Sequence, residues 1–153
     1  MFAALMRGES AIRPVFPDLA KPAVAAVAAF DASRWVTKLQ LAGVDRVSQL
    51  AVAAADLAVK DAGGHDGIDP SRLGVYVGCG MGGTASLDAA YHAAFQKGGR
   101  VPPLTIPALM ANAPAAHVAI RQGARGPVLT YSVACASSAV ALSEAAKAVA
   151  CGD

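Results

Sequence analysis

Val128-Leu129-Thr130-Tyr131-Ser132-Val133-Ala134-Cys135-Ala136-Ser137-Ser138 reads as a strand running into a helix, with a cysteine at the junction. Val128 to Val133 is an apolar, aromatic and β-branched run of strand length, while Ser137 to Ala150 contains neither Gly nor Pro and is rich in helix formers. Cys135 therefore falls near a helix N-terminus, where unpaired N–H groups and the positive end of the helix dipole favour negative charge. The thiolate is the nucleophilic form of cysteine, and the same N–H groups are suited to a developing oxyanion. A small buried hydrophobe also fits Cys135 in a segment this rich in alanine. A sulfur sealed from solvent would leave only that packing role.

Upstream, Leu73 to Val77 is a nearly continuous apolar run bounded by glycine, which predicts a parallel strand covered on both faces. Gly78, Gly80, Gly82 and Gly83 then allow a tight turn, and neither a Gly-Lys-Ser/Thr nor the dinucleotide spacing is present to make it a phosphate loop. Val47, Leu50, Ala51, Ala54, Leu57 and Ala58 recur at helical spacing and predict a packing helix that buries this face and shows Asp56 and Lys60 on another. A helix is also expected over Ser86 to Gln96, and another after Asn112, a candidate cap, with Pro114 in its first turn. After Cys135, Ser143, Glu144 and Lys147 form only a narrow polar stripe among Ala139, Val140, Leu142, Ala145, Ala146 and Val149, so this helix is expected to be deeply buried. Turns are expected at Gly63–Pro70 and Gly98–Pro103, and Pro14 to Ala32, interrupted by Pro14, Pro17 and Pro22, reads as a surface excursion. None of these divides the chain, so residues 1–153 are expected to form one domain.

The 153 residues are 55% hydrophobic and 16% charged, which allows one sizeable core and argues against disorder. No apolar stretch of membrane-spanning length is free of charge, proline and glycine, and the N-terminus lacks a secretory signal, so a soluble cytoplasmic chain with no membrane partner is expected. Cys79, Cys135 and Cys151 are an odd number, without Cys-Xaa-Xaa-Cys or a zinc-like histidine spacing, so neither a disulfide framework nor a metal site is expected. A net charge of +2 and 5% aromatic residues give no support for nucleic acid.

Four stretches, in order, resemble the N-terminal half of a β-ketoacyl-acyl carrier protein synthase, a condensing enzyme of the thiolase superfamily. They are Asp45-Arg46-Val47-Ser48-Gln49-Leu50-Ala51 with the helix to Asp61-Ala62-Gly63; Arg72 through Gly83; Ile106-Pro107 through Asn112 to His117; and Arg125-Gly126-Pro127 followed by Ala134-Cys135-Ala136-Ser137-Ser138. Met1 to Pro14 is similar to the preceding helix and its Gly-Xaa-Ser-Xaa-Ile exit. The resemblance implies an α/β chain with a thiolase-like layered α/β/α fold, one half of the duplicated family fold, with the first strand absent. Its sheet would be mixed and mostly parallel, built from strands near Leu73–Cys79 and Val128–Ala134.

The same resemblance implies acyl transfer to Cys135, then decarboxylative condensation with malonyl-acyl carrier protein in fatty acid or polyketide biosynthesis. No cofactor is implied, because acyl groups arrive on the phosphopantetheine of acyl carrier protein or coenzyme A. Met81 would lie beside the acyl chain, although a core methionine fits equally, and Leu104, Thr105 and Ile106 would help wall the partner subunit's pocket in a homodimer. Leu129, Tyr131 and Val133 would then lie near the two-fold axis, with ordinary monomer core as the alternative. The basic cluster that many relatives carry before the helix is replaced here by Leu41-Ala42-Gly43-Val44, with Lys38 and Arg46 the nearest charges. Two catalytic histidines, a lysine and a gating loop belong to the family's second half. His65, His92 and His117 are not expected to replace them, His117 being read as a structural histidine, so the isolated chain is expected to be inactive in condensation. A non-catalytic partner or remnant retaining the dimer interface is the alternative. A thiolase proper fits the Arg125-Gly126-Pro127 and Cys135 patterns less well.

Overall fold

The computed structural model describes residues 2–16, 20–21, 23–27, 29–96 and 98–153. They fall into two units, Met1–Asp31 and Ala32–Asp153. In the first, helix α1 (Phe2–Met6) is followed by strands β1 (Ile12–Val15) and β2 (Ala23–Ala26), paired antiparallel with Ile12 opposite Ala26. The expected excursion thus contains a hairpin strand, and Pro14 itself lies in β1 opposite Val24. Val27 N–H bonds Ala11 O, which makes the Pro14–Val24 pair a non-hydrogen-bonded one, so the missing proline N–H falls on the outward edge. Pro17 and Pro22 lie outside the described residues.

The second unit holds α2 (Lys38–Leu41), α3 (Arg46–Asp61), β3 (Val75–Gly78), α4 (Thr84–Tyr91), α5 (Thr105–Leu109), α6 (Ala113–Gln122), β4 (Val128–Tyr131) and α7 (Ser137–Cys151). The helix expected over Ser86–Gln96 begins two residues earlier and changes to π geometry at His92–Gln96. Strands β3 and β4 pair in parallel, Val75 opposite Val128 and Gly78 opposite Tyr131, as expected for the two apolar runs. One face of this pair carries α6, and the core there is Val52, Val75, Ala115, Val118 and Ala119. The other face carries α7, whose first turn meets Gly78. Because side chains alternate along a strand, Val75 and Val77 point to α6 while Tyr76 and Gly78 point to α7. This is the α/β/α layering expected, with two parallel strands in the middle layer.

Three expectations are corrected. Helix α3 does not bury Leu50, Ala54 and Leu57: the two leucines are 44% and 58% exposed, and Ser48, Val52 and Ala53 are buried. With small apolar residues on every side, hydrophobic spacing does not choose the face. The Ser48–Val52–Ala55 stripe wins because its short side chains let α3 approach α6 closely. Asp56, expected on the free face, accepts from Arg121 Nη2 at 2.6 Å and Gln122 Nε2 at 2.5 Å, tying α3 to α6. Asn112 precedes α6, and Pro114 lies in its first turn, but the Asn112 side chain makes no capping bond.

Helix α7 is also not deeply buried. Only Ser137 and Ala141 are, while Leu142 and Val149 are 73% and 80% exposed. Two strands about 5 Å apart cover one stripe of a helix about 10 Å across, and among the described residues nothing covers the rest. By length and composition Ala134–Cys151 is apolar enough to cross a membrane, though it carries the Glu144–Lys147 ion pair.

Candidate active site

Both parallel strands end at the same edge of the sheet, and in open α/β sheets that edge is where ligands are met. Beyond β3 come Cys79, Gly80 and Met81; beyond β4 come Ser132, Val133 and the 3-10 turn Ala134–Ala136 that opens α7. The two loops are tied together, since Cys79 N–H donates to Tyr131 O at 3.0 Å and Ser132 Oγ donates to Gly80 O at 3.3 Å.

Cys135 sits in that 3-10 turn, exposed and free, directly ahead of α7. The buried-hydrophobe reading is therefore excluded for Cys135. It holds instead for Cys79, which is buried, while Cys151 is exposed at the far end of α7. Within the turn, Ala136 N–H donates to Val133 O and Ser137 N–H to Ala134 O, whereas the Cys135 N–H has no acceptor among the described residues. An exposed sulfur beside an unused N–H at a helix start is an arrangement that can attack a carbonyl and stabilise the oxygen that becomes negative.

Sequence reasoning missed two parts of this turn. Ser137 is 4% exposed, and its hydroxyl is bonded back to Val133 and Ala134. Gly78 reads from sequence as a turn glycine, but it is a strand residue where the backbone of Ser137 and Ser138 rests against β3. The β-branched-to-alanine transition locates the junction without revealing what clamps it.

Met81 is 81% exposed on the glycine loop. Leu104, Thr105 and Ile106 open α5, with Thr105 buried and Leu104 and Ile106 47% and 62% exposed. The loop between them is seated by Asp45, 6% exposed at the start of α3. Its Oδ1 accepts from Val47 N–H at 3.0 Å, and its Oδ2 accepts from Ser86 N–H at 2.8 Å and Ser86 Oγ at 2.7 Å. Gly83 lets this contact form: a Cβ there would meet Asp45 Cβ at 2.9 Å and collide with Ala108 O.

The chain's three histidines have their own surroundings. His65 Nε2 lies 3.1 Å from Gln122 Oε1, and His92 Nδ1 lies 2.7 Å from Gln96 Oε1. His117 lines a cavity of about 480 Å³ with Trp35, Val52 and Arg121. Burial lowers its pKa from the ordinary imidazole value. The folded chain therefore favours the neutral ring and the unfolded chain takes up the proton first. Stability should be complete above about pH 6.5 and decline as pH falls towards the folded value. His117→Gln should have a smaller difference in melting temperature between about pH 7.5 and about pH 5 than the unchanged chain. Equal differences would remove this role.

The family profile described as beta-ketoacyl synthase, N-terminal domain, matches residues 4–153. This chain belongs to that family. Among relatives of the β-ketoacyl synthase domain, "3-oxoacyl-[acyl-carrier-protein] synthase 2" of Rhizobium meliloti is 31% identical over 127 residues, covering 81% of this chain and 30% of the relative. A β-ketoacyl synthase crystal structure from Burkholderia phymatum superimposes with a TM-score of 0.80 at 28% identity, covering 99% of this chain and 39% of that one. A type II polyketide ketosynthase, solved with its acyl-carrier protein and bound hexaketide, gives a TM-score of 0.70 at 25% identity over 82% of this chain and 37% of that one. The thiolase-like ketosynthase fold is thus shared, and the chain spans about 30% of the length of the first of these relatives.

Proposed function

We propose that Cys135 is the acyl acceptor of a 3-oxoacyl-acyl carrier protein synthase of fatty acid or polyketide biosynthesis. The observation that carries this reading is the exposed sulfur at the start of α7, beside an N–H with no acceptor, in a chain of the β-ketoacyl synthase family. The thiolate attacks the carbonyl of an acyl thioester, the carbonyl oxygen takes negative charge beside the Cys135 N–H, and the carrier thiolate leaves. In the second stage a malonyl thioester loses carbon dioxide and its α-carbon attacks the acyl-cysteine, forming a carbon–carbon bond and returning the Cys135 thiolate. Histidines that assist decarboxylation belong to the family's second half, so the second stage is not assigned to His65, His92 or His117.

Acyl carrier protein is the proposed donor's carrier, supported by the related ketosynthase solved with its carrier protein. Met81 and the exposed Leu104 and Ile106, with Thr105, are proposed to wall acyl pockets. A homodimer is proposed through β4, supported by the exposure of Leu129 and Val133.

Acylation is tested by incubating the chain with an acyl-pantetheine thioester and mapping the acyl mass by peptide mass spectrometry. The acyl group should appear on Cys135 and not on Cys151, which is also exposed but lies at the other end of α7. Equal acylation of both would sink the reading.

A further inference from the structure

We propose that Ser137 is the positioning residue of the Cys135 turn, a role that rests on the reading of Cys135 as acyl acceptor. Residues 132–136 and Ser138 are all exposed, yet Ser137 between them is 4% exposed. Its Oγ donates to Ala134 O at 2.7 Å and accepts from Val133 N–H at 2.9 Å. One buried hydroxyl thereby fastens the backbone just ahead of Cys135 to the first residue of α7.

The residue held between those bonds is Ala134, at φ 45°. A residue with a Cβ rarely adopts such a conformation and keeps it only where its surroundings over-determine it. Here Ala136 N–H bonds Val133 O, Ser137 N–H bonds Ala134 O, and the Ser137 hydroxyl adds its pair across the same two residues. The reversal at Ala134 turns the chain from β4 into the 3-10 turn and leaves the Cys135 sulfur exposed and its N–H unused. Without the hydroxyl, the Val133 N–H and one bond to Ala134 O are lost, and Ala134 is free to leave the left-handed region, re-aiming Cys135.

The test uses the 153-residue chain and three variants, Ser137→Ala, Ser137→Thr and Ser138→Ala. Iodoacetamide labelling of each cysteine is timed by peptide mass spectrometry at about pH 7, beside a thermal melt. In the unchanged chain Cys135 should label faster than Cys151 near neutral pH. Ser137→Ala should slow Cys135 labelling by about tenfold while leaving Cys151 labelling unchanged. Ser137→Thr, which keeps the hydroxyl, should preserve the Cys135 rate even where it melts earlier, and Ser138→Ala should change neither.

A Ser137→Ala chain that melts earlier but keeps the rate of Cys135 labelling would reduce Ser137 to packing and overturn the proposal. If Ser137→Ala does not fold, Ser137→Thr decides: a folded threonine variant whose Cys135 labels no faster than Cys151 overturns it. Cys135 labelling like Cys151 in the unchanged chain would instead remove the acyl-acceptor reading and the proposal with it, a failure visible without any variant.

Discussion

Gly78→Ala should lower the melting temperature sharply and slow acylation of Cys135, whereas Gly80→Ala, two residues along, should do neither. A Cβ on Gly78 would stand 2.5 Å from Ser137 O and Ser138 N and closer still to the Ser137 carbonyl carbon. These are backbone atoms, so no side-chain rotation relieves the overlap and the start of α7 must lift from β3. Overpacking of this kind costs about 1–3 kcal/mol or more, and in a chain of this size each kcal/mol lowers the melting temperature by roughly 2–4 °C. A Cβ on Gly80 meets nothing within 4 Å. The displaced residues are those that hold the Cys135 turn, so acylation should fall by more than the folded fraction does. A thermal melt and timed acylation of both variants check this. If Gly78→Ala matches Gly80→Ala in both, α7 does not seat on that glycine.

The parts of the fold written in local chemistry are legible in the sequence. A β-branched run before an alanine-rich one locates β4 and the helix that follows Cys135, and an aspartate ahead of an apolar repeat locates the start of α3. What is not legible depends on which face meets a neighbour. In α3 the choice between Leu50–Leu57 and Ser48–Val52 is set by the approach of α6, and alanines on both faces hide it. For α7, an almost continuous apolar surface suggests burial on all sides, but composition cannot count the strands available to cover it. An alanine-rich segment also leaves open whether its cysteine is packed or exposed, and the geometry shows Cys135 exposed. Ser137 and Gly78 escape sequence reasoning for one reason: small residues look alike whether they face solvent or support a turn.

Asp45→Ala should cost about 3 kcal/mol or more and loosen two helices at once. Val47 N–H and Ser86 N–H lie in the first turns of α3 and α4, and neither has an acceptor in its own helix. Gly83, which precedes α4, has no side chain to cap it, so the second oxygen of Asp45 does so from 41 residues away. Helix dipoles favour negative charge at both ends that Asp45 serves. Removing a capping side chain costs about 0.5–2 kcal/mol, and each buried donor left without its charged partner about 1–3 kcal/mol. Asp45→Asn separates the two contributions, since its single carbonyl oxygen can replace only one of the two acceptor oxygens. Amide hydrogen exchange should show Val47 and Ser86 both deprotected in the alanine variant and only one of them in the asparagine variant. If Ser86 stays protected in Asp45→Ala, α4 has another cap, and the glycine loop carrying Met81 is held without α3.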